Sequence, residues 1–165
     1  MSFDAFIKFD GGGIKGESTD SKHKDWIEIY SYSFGMSQAV SGSMSTAGAK
    51  ASGRADFSDF SVMKALDSAS PKLMVACANG TDIPTVELEL CRATGDKQKF
   101  YKITFENVII TSVSPSGSSG GDVPMESVSF AYSKIKWEYT GTDPRTGKAG
   151  GATEGHWDLA SNSGG

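Results

Sequence analysis

Hydrophobic and polar residues alternate through much of the chain, which is the pattern of β-strands that bury one face. Near the N-terminus apolar residues occupy alternate positions: Phe3, Ala5, Ile7 and Phe9. The glycines at 11–13 end this segment. A second segment, Trp26 to Phe34, is aromatic and β-branched, and its apolar phase changes midway, which predicts a bulge or a bend. The first part of the chain therefore predicts strands.

The strand pattern resumes at Pro84, and apolar and acidic residues alternate after it: Val86, Glu87, Leu88, Glu89 and Leu90. The tight connection Thr94-Gly95-Asp96 leads to a second run at 100–113, so we expect these two strands to form a hairpin. The apolar phase of the second strand shifts near Val108, and this shift again predicts a bulge.

Two shorter alternating segments follow a Gly/Ser linker at 115–121. Segments 128–132 and 135–139 alternate on opposite phases, and their closeness in the chain predicts that they pair as a long hairpin. Segment 143–148 has the composition of turns, and residues 160–165 are expected to be a frayed tail.

One helical region is predicted in the middle of the chain. Ser58 or Asp59 can cap a first helix. Its apolar residues recur at helical spacing: Val62, Met63 and Leu66. Ser70-Pro71 restarts the helix because proline suits the first helical turn, and Gly80 ends it.

The composition fits one globular domain spanning 1–165. The chain has 38% hydrophobic and 22% charged residues, which is enough apolar material for a core. We expect a mainly β fold, a β-barrel of two packed antiparallel sheets with one flanking helical segment.

A net charge of −4 argues against nucleic acid as a partner. The acidic residues Asp4 and Asp10 argue against a signal peptide, and membrane insertion is not expected because long apolar runs are missing.

The residues that could support catalysis occur without motif partners. His23 lies in a charged segment and is expected to be in a solvated turn, and His156 lies in the tail. Cys77 and Cys91 lack zinc-site spacing and are expected to be reduced core residues. The acidic residues of the 86–90 run are expected on a solvated face. We therefore expect no enzyme activity, no cofactor and no metal site.

Residues 38–53 are almost entirely Gly, Ala, Ser and Thr, and they cannot form a core of their own. This composition predicts a long flexible loop. Structureless loops of this length in compact domains are unusual and often functional, so a binding role is expected.

Several segments form an ordered series along nearly the whole chain. They are Ala5-Phe6-Ile7-Lys8-Phe9, Ile14-Lys15-Gly16-Glu17-Ser18, Phe34-Gly35-Met36-Ser37-Gln38, Ser70-Pro71-Lys72-Leu73, Ala76-Cys77, Asn79-Gly80, Val108-Ile109-Ile110-Thr111-Ser112-Val113 and Gly155-His156-Trp157-Asp158-Leu159. In this order and spacing they resemble the Hcp family, the tube proteins of bacterial type VI secretion systems.

The resemblance implies a β-barrel that assembles as homohexameric rings, which stack into a tube inside a contractile sheath. It also implies a VgrG-type spike protein at the tip and small effector proteins in the lumen. Such a protein is made in the bacterial cytoplasm and exported by the type VI machine without a signal peptide.

Two sets of site residues follow from the resemblance. The 38–53 loop is expected to contact a neighbouring subunit or ring through Gln38, Val40, Ser43, Met44, Ser45, Thr46 and Lys50. The polar residues Ser31 and Ser33 are expected to line the lumen and contact effectors.

Two other functions are compatible with the residues. A monomeric β-barrel module that binds a carbohydrate or another ligand would use Trp26, Trp137 or Trp157 as stacking platforms. An enzyme would need His23 and His156 to meet an acid and a nucleophile in space, which makes it the weaker alternative.

Overall fold

The computed structural model describes residues 2–41, 51–93, 98–143 and 145–165, and these are mainly β. The strands are β1 Phe3–Asp10, β2 Ile27–Ile29, β3 Ser31–Ser33, β4 Met36–Ser41, β5 Ala51–Phe57, β6 Phe60–Ala65, β7 Ile83–Arg92, β8 Lys99–Ser116, β9 Met125–Ala131, β10 Lys134–Thr142, β11 Ala149–Asp158 and β12 Ser163–Gly164. Helix α1 is Ser70–Asn79.

Two antiparallel sheets pack face to face around the core. The first has the strand order β12-β11-β10-β8-β7-β1-β2, and in the second β6 lies between β3 and β9, with β9 pairing with β8. The predicted class, a mainly β fold of two packed sheets with a flanking helix, is confirmed. In the part of the chain described, the sheets do not close into a barrel.

Strand β8 belongs to both sheets. Over its 18 residues it pairs first with β7 and β10 and then with β9, with a register shift against β9 between Ile110 and Ser112. This shift confirms the predicted irregularity. The strand passes from one sheet to the other just before this shift, between Glu106 and Ile109, where Asn107 has φ 53°.

The core between the sheets is aromatic at its centre. Phe60 is fully buried, and its ring lies 4.8 Å from that of Phe105 and 5.5 Å from that of Phe130. Phe105 and Phe130 meet edge to face at 5.0 Å. Such edge-to-face pairs add stability beyond the area they bury.

The first predicted helix is wrong: residues 60–65 form β6. Its buried positions are Phe60, Val62 and Lys64, which is the period of a strand. The strand period was missed because a lysine occupies the third core position. Lys64 is 1% exposed and forms a 2.8 Å ion pair with Glu126 on β9.

Helix α1 confirms the second half of the helical prediction. Pro71 lies in the first turn, and Gly80 ends the helix in a left-handed conformation with φ 65°, where it donates its N–H to the carbonyl of Ala76. Leu73 and Ala76 face the core, and the helix packs against β8.

The predicted hairpin of segments 128–132 and 135–139 is also wrong. Strand β9 pairs with β6 and β8, whereas β10 pairs with β8 and β11. Both strands therefore border β8, but along different halves of it. Strand β11 was missed because Ala149–Asp158 is rich in Gly and Ala and has no apolar alternation.

The C-terminal tail forms a short strand at Ser163–Gly164 instead of fraying as predicted. Gly164 pairs with Trp157 at the edge of the first sheet. A Cβ on Gly164 would lie 2.1 Å from the carbonyl oxygen of His156, so only glycine fits this approach.

The predicted 38–53 loop overlaps described strands at both ends. Strands β4 and β5 extend to Ser41 and from Ala51 and form a separate two-stranded sheet. Residues 42–50, and the predicted turn at 94–96, lie outside the described residues.

Candidate functional site

The β4–β5 hairpin is largely exposed over its described residues. Neither of its strands pairs with a third one in the described ranges. Met36 and Val40 on β4 are 50% and 58% exposed. A two-stranded hairpin is marginally stable by itself in water, so this element needs support from elsewhere.

The base of the hairpin is held by contacts with the first sheet. The Phe57 ring stacks on Trp137 at 6.3 Å and meets Tyr132 edge to face at 6.5 Å. The Arg54 guanidinium donates a hydrogen bond to the carbonyl oxygen of Leu159. The hairpin is thus fixed at one end and exposed along its length.

The predicted loop residues fall into two groups. Gln38 and Val40 lie exposed on β4, and the remaining ones lie outside the described residues: Ser43, Met44, Ser45, Thr46 and Lys50. Ser31 and Ser33 lie exposed on β3, on either side of Tyr32, whose ring stacks on Phe60 at 5.7 Å. The two serines therefore face outward on the second sheet.

Tryptophans that could serve as ligand platforms are engaged in packing. Trp137 stacks on Phe57, and Trp26 meets the His23 ring edge to face at 4.9 Å. Trp157 packs against the core. This use of the tryptophans weakens the case for a carbohydrate-binding module.

His23 is buried, contrary to the prediction of a solvated turn. It is 2% exposed, and its ring stacks on Phe6 of β1 at 4.2 Å with an interplanar angle of 6°. Its Nδ1 lies 2.7 Å from Asp20 Oδ2, and its Nε2 lies 3.0 Å from Glu89 Oε1. Glu89, also predicted to be solvated, is half-buried against this histidine.

The thiol of Cys91 completes this buried group. Its sulfur lies 3.8 Å from His23 Nε2, and Cys91 is fully buried. Burial first, and then the charges of Glu89 and Asp20, raise the pKa of the Cys91 thiol to about 11. Since the thiolate is the reactive form, this cysteine is not an activated nucleophile. Cys77 and Cys91 are both free, and Cys77 is only half-buried.

Comparison with known proteins identifies the family. The profile described as "Type VI secretion system effector, Hcp" matches residues 6–139. The chain belongs to the Hcp family. The Hcp resemblance found in the sequence is thereby confirmed, and with it the assignment as a tube protein of a type VI secretion system.

Hcp relatives match the chain over its full length. Protein hcp1 of Pseudomonas aeruginosa is 36% identical over 163 residues, which are 98% of each chain. A solved structure described as a type six secretion system protein is 40% identical, with a TM-score of 0.91, and covers 99% of this chain and 100% of its own. Hcp1 from Salmonella typhimurium is 31% identical, with a TM-score of 0.80 and 99% coverage of each chain.

Hcp proteins are structural components of a secretion system, so surfaces matter more here than a catalytic cleft. Among the described residues of this Hcp chain there is no helix with the length and hydrophobicity to span a membrane. The β4–β5 hairpin is one such surface, since it exposes Met36 and Val40.

A buried ionic network holds helix α1 against the second sheet of this Hcp fold. Lys64 Nζ lies 2.8 Å from both Glu126 Oε2 and Asp67 Oδ1. The hydroxyl of Ser70, the first residue of α1, donates to the same Glu126 oxygen at 2.8 Å. The position of the helix therefore depends on charges inside the protein.

Proposed function

We propose that copies of this chain assemble as homohexameric rings that stack into the secretion tube. The single observation that supports this proposal is the β4–β5 hairpin, which is anchored at its base and exposes Met36 and Val40 with no third strand in the described residues. Exposed strand edges are aggregation hazards unless a partner covers them. A second copy of the chain would cover them.

A ring follows when each copy offers the hairpin to a different surface on its neighbour. Contacts of this head-to-tail type close into rings if the rotation between copies allows it. In this proposal Gln38 and Val40, with Ser43, Met44, Ser45, Thr46 and Lys50, form the contact to the neighbouring subunit or ring. The small residues among them permit close backbone approach.

The proposed tube works with other proteins. It is capped by a VgrG-type spike protein, surrounded by contractile sheath proteins, and leaves the cell by the type VI route without a signal peptide. Its lumen holds small effector proteins, with Ser31 and Ser33 on the exposed face of β3 as contacts. These roles rest on family membership and on the outward position of the two serines.

Light scattering after size exclusion is expected to give a mass of about 104 kDa, six times the 17.4 kDa of one chain. Negative-stain images should show rings and short stacks. Deletion of 43–49 is expected to leave the ring mass unchanged and to reduce stacking, because exposed Met36 and Val40 remain for the contact within the ring and only the segment proposed to reach the next ring is lost. A monomer at high concentration would refute the ring, and unchanged stacks in the deletion variant would refute the role of the segment.

Ser33→Gln is expected to reduce the amount of effector that co-purifies with the ring several-fold, because a longer side chain would obstruct the contact surface. The measurement is quantitative mass spectrometry of effectors bound to purified rings. Lys134→Gln introduces the same residue, glutamine, on β10 of the other sheet and serves as the control. Equal effector recovery from both variants would contradict the role of Ser33, and loss of rings would mean that this serine is at a subunit contact.

A further inference from the structure

The outer face of β1 and β7 is covered by the segment between β1 and β2. Two backbone hydrogen bonds close this segment on itself: Gly16 donates to the carbonyl of Asp25 at 2.8 Å, and Ser18 donates to that of Trp26 at 3.0 Å. Gly16 approaches so closely that a Cβ would lie 2.3 Å from the Trp26 carbonyl oxygen. These contacts fix the conformation of the segment and so hold His23 in one position over β1 and β7.

His23 meets two side chains from one face of β7. Glu89 and Cys91 are two residues apart on that strand, so both point away from the core toward the covering segment. The ligand atoms of the three residues, Nε2, Oε1 and Sγ, lie within 4.8 Å of one another. We propose that His23, Glu89 and Cys91 bind a divalent transition-metal ion, with Zn²⁺ as the best fit.

The separations fit a tetrahedral site. Zinc bonds of about 2.0–2.3 Å to N, O and S place neighbouring ligands about 3.3–3.5 Å apart. His23 Nε2 lies 3.0 Å from the Glu89 oxygen and 3.8 Å from the Cys91 sulfur. These two separations need to change by only a few tenths of an ångström, and the third pair of ligand atoms lies within 4.8 Å.

Asp20 has the position of a partner that orients a metal-binding histidine. Its carboxylate accepts a hydrogen bond from His23 Nδ1 at 2.7 Å, which leaves Nε2 facing Glu89 and Cys91. Metal-bound histidines almost always donate their second ring N–H to such a group. The arrangement thus includes both the ligands and the residue that fixes the imidazole.

The ligand types select the metal. An imidazole and a thiolate suit Zn²⁺ and Co²⁺, whereas Mg²⁺ and Ca²⁺ prefer oxygen ligands only. Water, or Asp4 directly opposite Cys91 in the β1–β7 register, can supply a fourth ligand. The side chains of Glu89 and Asp20 are 14% and 12% exposed and provide the route of entry. Bound metal would fasten the covering segment to the sheet.

Cobalt absorption tests the proposal on the tag-free full-length protein kept reduced with a phosphine. Titration with cobalt chloride is expected to produce a near-ultraviolet thiolate-to-cobalt band and visible d–d bands that saturate at one ion per chain. Zinc sulfate should abolish both and raise Tm by several degrees at about 100-fold excess over its Kd. If saturating cobalt gives no thiolate band, the proposal is overturned and the group is a hydrogen-bonded network only.

Variants locate the ion. Cys91→Ala is expected to lose the thiolate band, while Cys77→Ala and His156→Gln retain it with unchanged Kd. Asp20→Asn should keep the band and raise Kd about 10- to 100-fold, because the imidazole is no longer held in place. A thiolate band that persists in folded Cys91→Ala would overturn the assignment. If that variant does not fold, the wild-type spectrum and the change in Kd of Asp20→Asn together decide whether the ion binds at this site.

Discussion

Lys64→Met is expected to lower the free energy of unfolding by about 3–5 kcal/mol, because it removes the only cation described next to the fully buried Glu126. Glu126 already has one buried oxygen, Oε1, that has no hydrogen-bond partner among the described residues, so little is available there to compensate for the lost charge. Met keeps most of the apolar stem, which limits the change to the charge itself. Chemical denaturation at a fixed protein concentration measures the loss.

Two comparisons isolate this effect. Lys102→Met removes a cation of similar length from a partly exposed pair with Glu87 and should cost less than about 1 kcal/mol. The double variant Lys64→Met/Glu126→Leu should recover much of the lost stability, since no unpaired Glu126 carboxylate remains. Equal losses in Lys64→Met and Lys102→Met would contradict the importance of burial.

Phe60→Ala is expected to destabilise the fold by about 3–5 kcal/mol, because it leaves a cavity at the centre of the aromatic core. The ring of Phe60 contacts aromatic side chains from four other positions: Tyr32, Phe34, Phe105 and Phe130. For a chain of this size the fall in Tm should be about 6–20 °C, measured by calorimetry.

Phe3→Ala is the matched control for Phe60→Ala. Phe3 is 44% exposed, and its ring meets that of Phe100 at 6.5 Å near the edge of the structure. The same chemical change should therefore cost less than about 1 kcal/mol. A similar loss of stability in both variants would contradict the central position of Phe60 in the core.

The strands that alternate cleanly could be predicted from the sequence, because their pattern is set by one buried face. This holds for β1, β7 and the long strand β8 with its shift. Strand β6 could not be predicted, since the pattern at Phe60, Val62 and Lys64 ends in a charged residue. The reason for a lysine in the core is Glu126, which lies 62 residues away in the chain.

The buried histidine group was missed for the same physical reason. His23 stands among charged residues, so its local composition predicts solvent exposure. Its burial depends on Glu89, 66 residues further along the chain, and on the ring of Phe6. Only the register of β1 with β7 brings these residues together, and that register is not a property of any one segment.

The partner of β10 could not be predicted from chain proximity. Strands β9 and β10 are separated by two residues, Tyr132 and Ser133, which suggested a hairpin. Instead, Tyr132 packs in the core at 5.1 Å from Phe105, and the chain crosses there from one sheet to the other. The glycine-rich β11 then takes the place beside β10.

The strand shared by the two sheets has a mechanical consequence. Because β8 runs without a break from one ladder into the other, a pull on either sheet is transmitted along a continuous backbone rather than through a linker. Shearing β8 free requires breaking its hydrogen bonds with β7, β10 and β9 together. For a tube protein of a secretion system, this continuity means that a force on one sheet also loads the other.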